Sequence, residues 1–127
     1  MAEQTKVPIL TIDGLKPHKW LRFRVSRNEG EFDVIRADST SAYHKEIRNK
    51  FLEEIEGTDI KFHQIIDGGK IDIHHRNGGI AIFSCSSDFN VPERKGLEAH
   101  EHPLRGETVK IFQENGYPDV VIGDFKY

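Results

Sequence analysis

The sequence predicts an α+β domain: a mostly antiparallel, mixed sheet of about six strands covered by two helices. Three observations predict it. The chain has 127 residues, the length of one ordinary domain. Its hydrophobic period switches from two to about four between residues 39 and 56 and then back. Its apolar runs are divided by short Asp-Gly, Asn-Gly and Gly-Gly pairs, with no Pro- and Gly-rich linker and no internal repeat, so residues 1–127 are expected to form one domain, residues 1–14 being the least ordered part.

The elements follow in order. Residues 7–12 (VPILTI) are a short apolar stretch closed by the turn pair Asp13-Gly14. After Lys16-Pro17, residues 20–25 alternate Leu21, Phe23 and Val25 with Trp20, Arg22 and Arg24, the pattern of a half-buried strand. Asn28-Glu29-Gly30 turns the chain into residues 32–36, a second strand paired with the first as a hairpin. Between residues 39 and 56 the period changes: Tyr43, Ile47, Phe51 and Ile55 recur every four positions beside Leu52, with charges on the other face. That is an amphipathic helix. Ser39, Thr40 and Ser41 are its candidate N-caps and Gly57 its stop, without a capping-box Glu at the right offset.

Strand character resumes over residues 60–66, is punctuated by Asp67-Gly68-Gly69, and continues over residues 70–74. Asn77-Gly78 then separates two extended runs, a strong hairpin signal, and the partner run 80–86 is apolar enough to be central. Residues 90–102 read as a polar loop, residues 104–115 as a second helix ending at Gly116, and Val120-Val121-Ile122 as a closing strand. The order β-β-β-α-β-β-β-α-β belongs to the α+β class.

Composition narrows the function. Eighteen Lys and Arg against 21 Asp and Glu leave a formal charge of −3, and basic residues do not cluster with aromatics. Neither nucleic acid nor an anionic membrane attracts such a surface. Hydrophobic residues make up 36% and charged residues 31%, as suits a small domain with much surface, and eight Phe help fill its core. The single Cys, Cys85, permits no internal disulfide and makes a reducing compartment the default. The first residues carry neither a basic n-region nor a long apolar run, and no run reaches the roughly 20 residues of a bilayer-spanning helix, so a soluble, cytoplasmic protein is expected.

Seven His residues raise the question of a metal. His74 and His75 are adjacent on a strand and point to opposite faces. His100 and His102 lie in a polar loop without a Cys partner or an HExxH helix, and solvated surface is the simpler reading. No metal and no cofactor are expected. His44 differs, because it falls in the first turn of a helix. There the unpaired N–H groups and the positive end of the dipole disfavour protonation and attract anions, which suits a His nucleophile or general base beside a phosphate. The bland reading is that His44 merely flanks the apolar stripe. Asp67-Gly68-Gly69-Lys70 sets a cation directly after glycines that admit a ligand to the backbone, although it lacks the spacing of a Walker A motif; its bland reading is a hairpin turn with a solvated Lys. Ser84-Cys85-Ser86-Ser87-Asp88 ends an apolar strand in hydroxyls, which present to an anion or satisfy a loop. No G-x-S-x-G elbow surrounds Ser86, and Cys85 reads as half-buried structure.

These pieces, taken in order, resemble the phosphohistidine phosphatase (janus) family. The matching residues are Lys19-Trp20 opening an alternating strand, Tyr43-His44 at a helix start, and Asp67-Gly68-Gly69-Lys70-Ile71. The run Phe83-Ser84-Cys85-Ser86 and the tail Tyr117-Pro118-Asp119 agree in order and spacing, so the resemblance extends from about residue 15 to the C-terminus. It implies a small α+β fold, a phosphohistidine-containing protein as substrate, and metal-free removal of its phosphate by a monomer. The family's catalytic histidine falls on His44 and its substrate-gripping lysine on Lys19. A family arginine becomes Lys70, which keeps the charge and loses the bidentate fork. The phosphate-binding strand end, Ser84 included, maps onto Ser86, Ser87 and Asp88. A family histidine near the glycine motif is Ile73 here, with His74 beside it. Asp88 stands where the family has a small neutral residue. Its carboxylate points away, acts as an acid for the departing imidazole, or marks a member that has drifted into a phosphate- or phosphoprotein-binding regulatory module.

Overall fold

A computed structural model describes residues 7–14, 16–28, 30–75, 79–84 and 103–123. The strands β1 (Leu10–Asp13), β2 (His18–Arg27) and β3 (Gly30–Asp38) precede helix α1 (His44–Ile55). After it come β4 (Lys61–His75), β5 (Gly79–Phe83), helix α2 (Pro103–Glu114) and β6 (Val120–Ile122). All the described strands join one sheet in the order β1-β3-β2-β4-β5-β6. The three inner pairs are antiparallel, and the edge strands β1 and β6 run parallel to β3 and β5. The sheet is therefore mixed and mostly antiparallel, with two helices, as the sequence predicts.

Strand β2 lies at the centre, between β3 and β4. Its alternation sorts side chains to two faces, and each face has its own core. Leu21, Phe23 and Val25 pack with Ile47, Phe51 and Ile55 of α1. Trp20 packs with Ile71, Ile80, Ile82 and Phe112 of α2. The two helices thus cover opposite faces, and β2 is buried on both rather than on one. Even Arg22, expected to face water, is only 3% exposed, because α2 lies over it.

The single departure in strand count occurs at the glycines. The sequence reads Asp67-Gly68-Gly69 as a break between two strands, but β4 runs unbroken through it. Gly68 and Gly69 stand opposite Leu21 and Trp20 of β2. A Cβ on Gly69 would lie 2.4 Å from the carbonyl oxygen of Phe83 and 2.9 Å from that of Ser84. Close approach of the neighbouring backbone demands glycine here, not a turn. Strand β4 then meets β5 in antiparallel register, His75 opposite Gly79, with residues 76–78 outside the described set.

Helix α1 starts later than the Ser/Thr run suggests. Its N-cap is Tyr43, in extended conformation and without a side-chain cap bond, and its first helical residue is His44. Asp38 has already taken the candidate caps. The Asp38 carboxylate accepts the Thr40 amide and hydroxyl on one oxygen and the Ser41 hydroxyl on the other. The buried stripe is consequently His44, Ile47, Phe51 and Ile55, while Tyr43 is 56% exposed. Gly57, at φ 79°, closes the helix as expected.

Candidate functional site

At the end of the sheet beyond the start of α1, a cavity of about 520 Å³ opens on the α1 face. Lys16, Lys19, Lys70, Ser39, Ser41 and Phe83 are among its walls. Lys19 and Lys70 stand directly opposite each other in the antiparallel β2–β4 register. On its other side Lys19 stands opposite Asp38 in the β2–β3 register, so the row sets one acid beside the two ammonium groups. The Lys70 backbone is pinned from the other face, where the Trp20 indole donates to its carbonyl at 2.9 Å. Among the described lining residues none is acidic. Ser39 and Ser41 come from the turn that Asp38 organises, and Lys50 also donates to the Asp38 carboxylate. Burial pushes that carboxyl up, but the bonds from Lys50, Thr40 and Ser41 outweigh it and hold the group far below the usual carboxylate range.

His44 reaches this site through the backbone. Its Nε2 lies 2.9 Å from the Gly69 carbonyl, one residue before Lys70. A carbonyl only accepts, so Nε2 carries the proton, and in the neutral ring the lone pair belongs to Nδ1. The ring is 3% exposed, and it is not among the residues lining the cavity.

Ser84 lies on the opposite face, fully buried. It is the one non-glycine with positive φ, 63°, among the described residues. Its carbonyl accepts from Arg105 Nη2 at 2.9 Å, which fixes the end of β5 in this strained conformation. Ser86, Ser87 and Asp88 lie outside the described residues, as do Cys85, His100 and His102 and the side chains of His74 and His75. The structure thus brings Lys19 and Lys70 into one cavity, sets His44 against the adjoining peptide, and places Ser84 behind the sheet.

That rear layer escapes sequence reasoning. Asp67 and Arg105 are both fully buried and form a two-pronged ion pair at 3.0 and 3.1 Å. The same guanidinium donates to the Gly68 carbonyl at 3.2 Å and stands 5.2 Å over the Trp20 ring. The Thr108 hydroxyl donates to Asp67 at 2.8 Å and accepts from Arg22. Arg22 continues to Asp33 and Glu107. A signal for this was present: Arg105, Thr108 and Phe112 form one stripe of α2, and a cation on an apolar stripe needs a buried partner. A larger hollow of about 690 Å³ lies along Arg22, Arg24 and Asp33. It offers an anion less, because Asp33 already holds both guanidinium groups. Burial raises the Asp33 carboxyl and the bonds from Arg24 and Arg22 more than reverse this, leaving it below the usual range.

A family model described as the Janus/Ocnus family (Ocnus) matches residues 4–99, most of the chain. The chain belongs to the Janus/Ocnus family. A comparison with curated proteins returned no match. The Janus/Ocnus match spans β1 to β5 and includes Lys19, His44, Lys70 and Ser84. In this Janus/Ocnus chain no helix among the described residues is long and apolar enough to cross a membrane. No group of three or more His, Cys, Asp or Glu among the described residues is placed to hold a metal ion.

Proposed function

We propose that this Janus/Ocnus chain is a metal-independent protein phosphohistidine phosphatase. The observation that carries the reading is the Lys19–Lys70 cross-strand pair in a cavity whose described walls include no acid. Two ammonium groups in register hold a phosphoryl group from two sides and offset its charge as the P–N bond breaks. The start of α1 adds the positive end of a helix dipole beside them.

His44 supplies the chemistry. With its proton held on the Gly69 carbonyl, Nδ1 either attacks phosphorus or takes a proton from the attacking water. In the first route a phosphohistidine forms at His44, the substrate imidazole leaves with a proton, and water then hydrolyses the intermediate. In the second, hydroxide adds to phosphorus directly as the same P–N bond breaks. Both need the leaving nitrogen protonated, and neither calls on a metal.

A second reading has its own support. His44 is buried and is not among the described residues of the cavity wall, and Asp88 brings a carboxylate to the sequence position of a phosphate-binding residue. A module that binds phosphate or a phosphoprotein without turnover fits those two facts. Hydrolysis of a phosphohistidine peptide by the wild type, by His44→Ala and by Asp88→Ala separates the two. The phosphatase reading expects turnover that EDTA leaves intact and that His44→Ala abolishes with the fold preserved. Turnover that survives His44→Ala would sink it. Phosphate-induced shifts at Lys19 and Lys70 without any hydrolysis would establish the binding module instead.

A further inference from the structure

Lys19, Lys70 and Phe83 form a row. Lys19 pairs with Lys70 across β2 and β4, and Lys70 pairs with Phe83 across β4 and β5, so all three project from one face of the sheet into one cavity. Successive Cα atoms in such a row are about 5 Å apart. A phosphoryl group held by both ammonium groups therefore has its nitrogen substituent within reach of the Phe83 ring. The cavity, at about 520 Å³, holds far more than the four heavy atoms of a phosphoryl group. Its remaining space is large enough to take the group from which the phosphate departs. Phe83 is the one Phe, Tyr or Trp among the described lining residues, and it is half-buried, with part of its surface open.

The backbone around Phe83 is fixed on two sides. Gly69 lies so close that a Cβ there would meet the Phe83 carbonyl oxygen at 2.4 Å. A Cβ on Gly123 would meet the Phe83 Cβ at 2.7 Å, and the Gly123 amide donates to the Ile82 carbonyl at 2.7 Å. Gly123 thus admits the base of the Phe83 side chain, and Gly69 admits its carbonyl. A seated ring binds a flat partner with little ordering cost, and an alkyl chain gains less from the same surface.

We propose that Phe83 is a specificity-determining residue: its ring packs on the planar ring of the leaving group, so phosphate carried on histidine is preferred to phosphate carried on lysine. This rests on the reading of the cavity as the phosphoryl site and names what lies beyond the phosphorus.

The test compares two non-hydrolysable probes by binding titration, a phosphonate on a five-membered aromatic ring and a phosphonate on an alkyl chain of similar size. It is run on the wild type and on Phe83→Ala, Phe83→Leu and Phe83→Tyr, with thermal melting to confirm folding. Phe83→Ala and Phe83→Leu should weaken the aromatic probe about three- to tenfold, the span of an aromatic pair's added interaction, and move the alkyl probe less than about twofold. Phe83→Tyr should keep the wild-type ratio. Equal losses on both probes, or a Leu variant that behaves as wild type, would overturn the role of the ring. Failure of the wild type to bind either probe would instead remove the phosphoryl site, and the proposal with it.

Discussion

Removing the carboxylate of Asp67 tests the layer that supports the site from behind. The Asp67 side chain accepts from Arg105 Nε at 3.0 Å, from Arg105 Nη2 at 3.1 Å and from the Thr108 hydroxyl at 2.8 Å. All three residues are fully buried. Asp67→Ala takes this carboxylate from a guanidinium buried in the core, which also bonds the neutral carbonyls of Gly68 and Ser84. Breaking a buried pair from one side costs about 3–5 kcal/mol, against a total domain stability of about 5–15 kcal/mol. In urea, with a slope near 2 kcal/mol/M, the midpoint should fall by about 1.5–2.5 M. Because the damage is the stranded charge, Asp67→Ala combined with Arg105→Met should recover part of the loss. A single variant that loses under about 1 kcal/mol, or a double variant less stable than the sum of the two singles, would refute the reasoning.

Other expectations follow from neighbouring residues. Lys19→Met removes one of the two ammonium groups of the cavity, so phosphate should raise its melting temperature less than it raises the wild type's; a variant stabilised by phosphate as much as the wild type would contradict the site. Gly69→Ala pushes a methyl group against two carbonyl oxygens at the end of β5 and should cost about 1–3 kcal/mol in denaturant unfolding, with a neutral result counting against the tight β4–β5 approach. Asp38 has a folded-state pKa depressed below its ordinary value of 3.8 by Lys50, Thr40 and Ser41, despite burial. Its contribution is therefore present above about pH 4 and lost as pH falls through the folded value. The gap in stability between wild type and Asp38→Asn should narrow on titration below pH 4, and a gap that stays constant from pH 7 to the lowest pH at which the wild type remains folded would show that the carboxylate is not the cause.

Much of the fold was legible locally. Periodicity placed both helices and the inner strands, because the 3.6- and 2-residue repeats are properties of single segments. Two local signals misled. Gly68-Gly69 imitates a turn, yet serves a close approach between strands that are distant in sequence. The hydroxyls of Ser39 to Ser41 imitate N-caps, yet Asp38 and Lys50 claim two of them, a competition that depends on how β3 and α1 meet.

The sequence by itself determined the α+β class, the helix that begins beside His44, and the candidacy of Lys19 and Lys70. The class, the helix and Lys70 follow from pattern and residue chemistry along one stretch of chain, and Lys19 from the family resemblance. Only the tertiary structure decided that Lys19 stands opposite Lys70 and Lys70 opposite Phe83. It alone set Ser84 on the far face, buried Asp67 with Arg105, and laid the His44 proton on the Gly69 carbonyl. Period two says that neighbours alternate faces. It does not say which residue of another strand lies across, since register is fixed by non-local pairing and by the packing of helices from elsewhere in the chain.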